Sequence, residues 1–454
     1  MKIVIGVHHF PPHHKAGAEL RAYNAAAWLR RQGDTVHIIC VEHIDRDPGE
    51  GLLGQDTEYE GIPVHRLSFD MAKAPDRFRW EYDNPWIEQH LRQYLAQLKP
   101  DVFHLISGYL LGASALRAAR ALGIPAVITL TDFWFLCPRI NLLHPDGRLS
   151  TSNRFDAQAC TRCKFEEKRR FRIPARLAPG ILDRFWQHAF APAWERLLPF
   201  SDVADQFGQR NRTLMEALSA ADVLICPSHF SLEKFKARGI DPHKLVLNTH
   251  GLDCSNWLPA LGTDRPNGVF RIGYMGQIDQ HKGVHLLVEA FTRLQSETQL
   301  DLAIHGDETA VPEYTRRLRR LAGGDGRIKL LGRYDPRQIA QLLAQTDVLV
   351  VPSTWNEIGP WVMYEALQCK TPVVASDIPN MSDVIRHEKN GLLFACGDEA
   401  DLTAQLQRLV DEPGLLSRLR DGIEPVKTMA EEMAMLQHIY HALDGESARR
   451  GTEA

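Results

Sequence analysis

Short β-branched runs alternate along the chain with longer stretches whose apolar residues recur at helical spacing. In the first half the pattern predicts strands at 2–7, 36–41, 63–67, 101–106, 125–130 and 222–226. Between the first two, Ala18, Leu20, Tyr23, Ala27 and Leu29 predict a helix over 17–32, with Gly33 as its stop signal. A Pro/Gly-rich stretch from Pro259 to Gly268 then reads as a linker. The pattern restarts beyond it, with strands expected at 270–275, 301–305, 328–331, 347–351 and 372–376. A last helix is expected at about 427–444, free to pack on either domain.

Strand–helix alternation of this kind belongs to parallel sheets covered by helices on both faces. The stretch from Asp222 to Ser228 (DVLICPS) recurs from Asp347 to Ser353 (DVLVVPS), five identities in seven positions, and each copy reads as a late strand followed by a Pro-Ser turn. The expected fold class is therefore α/β, two facing Rossmann-like doubly wound domains with a deep interdomain cleft. Ligands of such sheets bind outside the carboxyl ends of the strands. The expected boundaries are 1–258 for the N-terminal domain, 266–425 for the C-terminal domain and 427–454 for the last helix, which is expected to cross back to the first domain.

Composition narrows the class. The 454 residues are 44% hydrophobic and 24% charged, enough for two or three domains that need no disulfide or metal staples. With 53 Lys plus Arg against 57 Asp plus Glu, the net charge of -4 gives no global reason to expect nucleic acid. The eight cysteines are mostly scattered singly, which favours a reducing, cytoplasmic setting. The chain opens directly on a strand pattern at Lys2 without the features of a signal peptide, and no apolar run reaches the roughly 18 residues of a membrane span.

The sharpest chemical signal runs from Pro352 to Ala366 (PSTWNEIGPWVMYEA). A strand ends at Val351, a loop carries Glu357, and Pro360 is expected as the first helical residue, where its missing N–H costs nothing. The N-terminus of that helix suits a diphosphate, and Glu357 and Glu365 can each meet hydroxyl-bearing parts of one ligand. A second strand–turn–helix, Gly273 to Gly283 (GYMGQIDQHKG), places Lys282 beside glycines, a compact cation for a leaving phosphate. Near the N-terminus, Phe10 to Leu20 (FPPHHKAGAEL) is a loop in which Gly17 permits close backbone approach. His8, His9, His13 and His14 lack the accompanying ligands of a zinc site and read as polar lining.

Together with Ser228–Phe230, Asn248–Asp253 and Asn390–Phe394, these elements resemble the retaining glycosyltransferases of the GT-B fold, family 4, from Met1 to about Asp411. The resemblance implies that Glu365 binds the ribose hydroxyls and Lys282 the diphosphate of a nucleotide sugar. It also implies that Glu357 contacts the transferred sugar and that Gly17 approaches the β-phosphate. Gly276, Gln277, Gly359, Pro360 and Arg333 join the donor set, and Asp132, His13 and His14 line the acceptor side. No metal is expected at the site and no cofactor is required; a UDP- or GDP-sugar is the expected co-substrate.

Departures from the family pattern carry information. Gln277 stands where many members have Arg, so one phosphate-neutralising charge is absent unless Arg333 or His281 supplies it, and Thr131 stands where a histidine commonly precedes the aspartate. Asp45-Arg46-Asp47 lies in an acidic loop and reads as surface charge. Cys137, Cys160 and Cys163, with His144, leave zinc or reduced thiols as alternatives, and Ser150 and Ser152, where similar transferases often have another cysteine, favour thiols. From Lys164 to Arg184, within an insertion at about 140–200, seven basic residues (Lys164, Lys168, Arg169, Arg170, Arg172, Arg176, Arg184) face three acidic ones (Glu166, Glu167, Asp183). Phe165, Phe171, Trp186, Phe190 and Trp194 are interleaved with them. Two readings stand side by side: docking on anionic lipid, or a solvated helical insertion with its aromatics turned inward.

The expectation is a retaining, metal-independent transferase acting on a carbohydrate or lipid-linked acceptor in cell-surface polysaccharide, lipopolysaccharide or glycolipid synthesis. It would be cytoplasmic, at the inner face of the plasma membrane, with anionic membrane contact and no nucleic acid partner. The rivals are a nucleotide-sugar epimerase or phosphorylase on the same fold and a catalytically inactive sugar-nucleotide-binding subunit. A dehydrogenase is disfavoured because His8-His9-Phe10-Pro11 replaces the glycine-rich turn, and a periplasmic sugar-binding protein by the missing signal peptide.

Overall fold

The computed structural model describes residues 1–452 apart from 15–16, 48, 50, 151, 192–199 and 259–267. The expected linker therefore lies outside the described residues except for Gly268, as does Trp194. The chain forms two compact units, Met1–Thr249 with Met433–Ala454, and His250–Glu432. The division falls at Thr249, ahead of the expected 258, and returns inside the last helix, Met429–Thr452.

In the first unit the strands are β1 (Lys2–Val7), β2 (Thr35–His43), β3 (Leu52–Tyr59), β4 (Ile62–Phe69), β5 (Val102–Ile106), β6 (Ala126–Thr129), β7 (Val223–Cys226) and β8 (Leu245–Leu247). They form one sheet in the order β3-β4-β2-β1-β5-β6-β7-β8, parallel except for the β3–β4 hairpin. The second unit contributes β9 (Val269–Met275), β10 (Gln299–His305), β11 (Ile328–Leu330), β12 (Val348–Val351), β13 (Val373–Asp377) and β14 (Gly391–Ala395). Their order, β11-β10-β9-β12-β13-β14, is wholly parallel. It is the doubly wound arrangement, in which the chain starts at the centre, winds outward and reverses at a switch point beside the first strand.

Central strands such as β1 and β12 are buried almost throughout, which is why continuous aliphatic runs mark them in the sequence. The three strands that the pattern misses, β3, β8 and β14, all lie at a sheet edge. β3 and β8 bury little, so their apolar signal is weak, whereas β14 is mostly buried but only five residues long. The repeated DVL motif also receives a correction: β12 neighbours the first strand of its sheet, whereas β7 stands three places from β1. The two copies are not at equivalent positions.

The last helix adds a buried hydrogen-bond chain to the first unit. Its Tyr440, with no exposed surface, meets His104 Nδ1 at 2.6 Å, and His104 Nε2 meets Thr129 Oγ1 at 2.7 Å. Burial pushes His104 down to about 3, so the ring is neutral and both its nitrogens are satisfied. Tyr440→Phe keeps the packing and orphans one buried nitrogen. It is expected to cost about 1–3 kcal/mol, read as a lower denaturant midpoint at unchanged slope; an unchanged midpoint would refute the role given to this chain of bonds.

Candidate active site

The switch point of the second unit lies between the carboxyl ends of β9 and β12, and the loops leaving those strands are locked together there. After β9 the chain passes through a 3₁₀ turn, Gln280–Lys282, and then Gly283, whose φ of 70° is left-handed. A Cβ at Gly283 would stand 1.8 Å from the Pro352 carbonyl, so only glycine permits this approach. Thr354 N donates to the His281 carbonyl at 2.8 Å, joining the two loops again. This framework brings Lys282 Nζ to 2.9 Å from Glu357 Oε1, the two side chains 17% and 7% exposed. Ser353 Oγ donates to the same carboxylate oxygen. Lys282 also lies over the Trp355 ring, 5.3 Å from its centroid, and the buried Trp355 Nε1 and Asn356 Nδ2 have no hydrogen-bond partner.

Glu365 stands in the helix Trp361–Gln368, which follows directly. Among the described residues its carboxyl has no hydrogen-bond partner, and burial pushes its pKa up to about 7. Its charge reaches Tyr334, Cys254 and Cys369. Pro360 is not the first helical residue, as expected, but the extended residue before it (ψ 119°). The reason is Gly359: at φ 62° it turns the chain tightly under the His250 ring, and Pro360 completes that turn before the helix can start. Trp361 and Val362 then carry the first helical amides, groups that by their place lack an intrahelical partner.

Gln277 and Gly276 sit just beyond β9, with the Gln277 carbonyl accepting from Tyr274 Oη at 2.5 Å. Burial holds His281 below its ordinary value, so it carries little charge at neutral pH, and the exposed Arg333 is paired with Asp307.

In the first unit the corresponding switch point lies between β1 and β5. His8 leaves β1 and meets Glu19 at 3.2 Å, and its ring packs edge-on to Tyr109 with centroids 5.7 Å apart. Glu19 is 3% exposed; burial pushes its carboxyl up, but the hydrogen bond and charge of His8 outweigh this and leave it below the ordinary value. Asp132, beyond β6, accepts from Ser107 Oγ at 2.7 Å and from the Trp134 amide at 2.8 Å. Burial nevertheless raises its pKa. Gly17 is the first residue of the helix Gly17–Arg31. His14 stacks on His9 at 4.1 Å; His13 is exposed and lies 3.8 Å from Glu42, so the two adjacent histidines have different neighbours.

Sequence reasoning missed Ser353, Glu19 and Tyr109. Ser353 was visible as one turn residue of the repeated DVL motif, and Glu19 as a carboxylate on the turn following Gly17. Nothing in the pattern marked Tyr109. Among the described residues no three His, Cys, Asp or Glu side chains are grouped to hold a metal ion, and this includes Cys137, Cys160, Cys163 and His144. Burial pushes the Cys160 and Cys163 thiols up to about 12, which leaves them protonated and unreactive.

Two family models match the chain, "Glycosyl transferase 4-like domain" over residues 16–163 and "Glycosyl transferases group 1" over residues 263–424. The second contains both switch-point loops of the second unit, and the chain belongs to the group 1 glycosyltransferases of the GT-B fold. It is similar to alpha-maltose-1-phosphate synthase of Mycobacterium tuberculosis, 30% identical over 203 residues, 39% of this chain and 51% of that one. Similar too is D-inositol 3-phosphate glycosyltransferase of Thermomonospora curvata, 31% identical over 210 residues, 40% and 47% of the two chains. The matches thus span about half the length of these curated relatives. Among solved structures, sucrose-phosphate synthase from Thermosynechococcus elongatus superposes with a TM-score of 0.63 at 17% identity, covering 98% of this chain and 99% of that one. Anabaena HepE in complex with UDP-glucose gives 0.60 at 16% identity, with both chains fully covered. At these identities the likeness is one of fold.

Removing one partner of a buried ion pair leaves the other charged and desolvated. Lys282→Met is therefore expected to destabilise the second unit by on the order of 3 kcal/mol, and the double change Lys282→Met with Glu357→Gln to recover most of it. Chemical denaturation of the two variants checks this; equal losses in both would show that the pair does not couple.

Proposed function

We propose that this chain is a retaining glycosyltransferase that moves a sugar from a nucleotide-diphosphate sugar, a UDP- or GDP-sugar, to an acceptor hydroxyl. The observation that carries the reading is the composition of the second switch point. A lysine is held against Glu357 beside a helix N-terminus, and an unpartnered carboxyl, Glu365, stands one turn further along. Glu365 accepts from the ribose hydroxyls, bonds that compensate the desolvation it already bears. Lys282 and the amides of Trp361 and Val362 receive the diphosphate, stabilising the charge that grows on it as the glycosidic bond breaks. The positive charge that a divalent ion would otherwise bring comes from these groups, which supports a metal-independent reaction.

Glu357 has two duties in this reading. Free of donor it neutralises Lys282, and with donor bound it accepts from a hydroxyl of the transferred sugar while Ser353 keeps its carboxylate oriented. The acceptor hydroxyl attacks on the face the diphosphate leaves, so configuration is retained; no residue is required as a covalent nucleophile. Asp132 and His14 of the first unit belong to the acceptor side. The acceptor is a carbohydrate or lipid-linked sugar of cell-surface polysaccharide, lipopolysaccharide or glycolipid synthesis. An inactive nucleotide-binding subunit remains the second reading, favoured by one observation: Gln277 brings no charge, and Arg333 is already paired.

Thermal-shift titration with UDP, GDP, ADP and their sugar conjugates tests the donor class, since a ligand of the folded form raises its apparent stability. Glu365→Ala should weaken nucleotide affinity about tenfold, and Glu357→Ala should lower kcat by about a hundredfold with little change in that affinity. Binding without any transfer or donor hydrolysis would establish the inactive subunit instead.

The Glu365 shift has a definite sign. In the free protein the folded state holds a proton between pH 4.5 and about 7 that the unfolded state has released, so stability falls as pH rises across this window. Nucleotide affinity should rise over the upper part of it, as the carboxylate forms. Glu365→Gln should flatten both profiles, which calorimetry across pH would reveal.

A further inference from the structure

The insertion between β6 and β7 divides its apolar residues into two populations. Phe165, Leu182, Trp186 and Phe200 form a small core of their own, with Phe171 and Phe190 packed against it. The interleaved aromatics are therefore largely committed to packing. The aliphatic residues behave differently. Ile173 and Leu177 on the helix Arg169–Leu177, and Ile181 on the helix Pro179–Ala189, are 44%, 81% and 73% exposed. Phe185, one turn beyond Ile181, is 37% exposed. Four of the ten large exposed hydrophobic residues among those described thus fall in thirteen positions, 173 to 185, at uniform spacings of four. Singly exposed apolar residues are ordinary; four in so short a stretch, Ile173 and Leu177 one turn apart on the first helix and Ile181 and Phe185 one turn apart on the second, are not.

The charges around this row are of one sign. The acidic residues of the segment are already engaged: Glu166 with Arg162 and the Trp186 indole, Glu167 with Arg139, and Asp183 with Arg162. Among the described residues Arg169, Arg172 and Arg184 are exposed and have no carboxylate within ion-pair distance. Arg170 and Lys168 rest over Phe171 and Phe165, also without carboxylate partners. An apolar row rimmed by unneutralised arginines complements a surface that is hydrocarbon beneath and anionic at its face. No described helix is long and apolar enough to cross a membrane, so contact would lie in the interfacial plane.

We propose that the helices Arg169–Leu177 and Pro179–Ala189 are a docking surface for an anionic lipid bilayer, with Leu177 and Ile181 entering the acyl boundary and Arg169, Arg172 and Arg184 meeting headgroup phosphates. The inference goes beyond the transferase reading and is independent of it, because lipid binding requires neither donor nor acceptor.

Flotation of the full chain with vesicles tests it, using phosphatidylcholine alone and an equal mixture of phosphatidylcholine and phosphatidylglycerol. Binding to the mixture should exceed that to phosphatidylcholine by about tenfold or more and weaken as salt rises. Leu177→Gln with Ile181→Gln, and separately Arg169→Gln with Arg172→Gln, should each reduce it by about tenfold. All four side chains are exposed, and an unchanged circular dichroism spectrum and nucleotide-induced thermal shift verify folding. Absent binding, equal binding to both vesicles or undiminished binding by the variants would overturn the proposal. So would light scattering in which Leu177→Gln with Ile181→Gln converts an oligomer to a monomer while lipid binding is absent, since the row would then be a protein interface.

Discussion

The ion pair between Lys282 and Glu357 is the interaction on which the candidate site rests. Two charges mostly removed from water gain little net stability from each other, because desolvation offsets much of their attraction. What the pair achieves is position. It joins the loops that leave β9 and β12, two neighbouring strands separated by more than seventy residues of chain, and it does so at the sheet's switch point. The backbone around it admits little alternative. Gly283 must be glycine to pass the Pro352 carbonyl, and Thr354 fastens its loop to His281 with an amide and a hydroxyl. A lysine on a flexible stem is thereby held in one place, its rotamer entropy already spent in the folded protein.

The two switch points share a topology and differ in charge. In the second unit a cation, an ion-paired carboxylate and an unpartnered carboxyl gather beside a helix N-terminus. In the first, His8, Glu19 and Asp132 hold polar but less cationic chemistry: Glu19 meets His8 through one oxygen and Asp132 accepts from Ser107 and a backbone amide, while Glu19 Oε2 and His8 Nδ1 are buried without a hydrogen-bond partner. Such a division suits a donor that brings a diphosphate to the second unit and an acceptor that brings only hydroxyls to the first. Glu365 fits the same logic. A carboxyl desolvated without a partner is costly to the folded protein, and the cost is recovered only by a ligand that donates hydrogen bonds to it.

How much of this was legible in the sequence follows from burial. Central strands announce themselves because both faces are covered, and eleven strands were expected near where they occur; β3 and β8 escaped because these edge strands bury little, and β14 although it is mostly buried. Glu357, Lys282 and Glu365 drew attention in the sequence because each lies in the loop or helix that follows a strand of a doubly wound sheet, and the structure places Lys282 against Glu357. Their pairing was not, since the distance between Lys282 and Glu357 is decided by strand order, which no local pattern encodes. Pro360 shows a similar limit. Its fixed φ suits both a first helical residue and the residue before it, and only the left-handed turn at Gly359 selects between them.

The insertion shows the same limit in another form. From sequence, basic residues interleaved with aromatics support two readings, a lipid-facing surface and an inward-packed subdomain, as though they were exclusive. The structure separates the residues that each reading needs. Edge-on and tilted ring contacts draw Phe165, Phe171, Trp186 and Phe200 together, and this small core is what rigidifies two short helices that would be marginal alone. Most of the aromatics, with Leu182, are spent on packing; Phe185 contacts the cluster and shows part of its ring, and Ile173, Leu177 and Ile181 stay at the surface. Inward packing of one set is therefore the condition for outward display of the other.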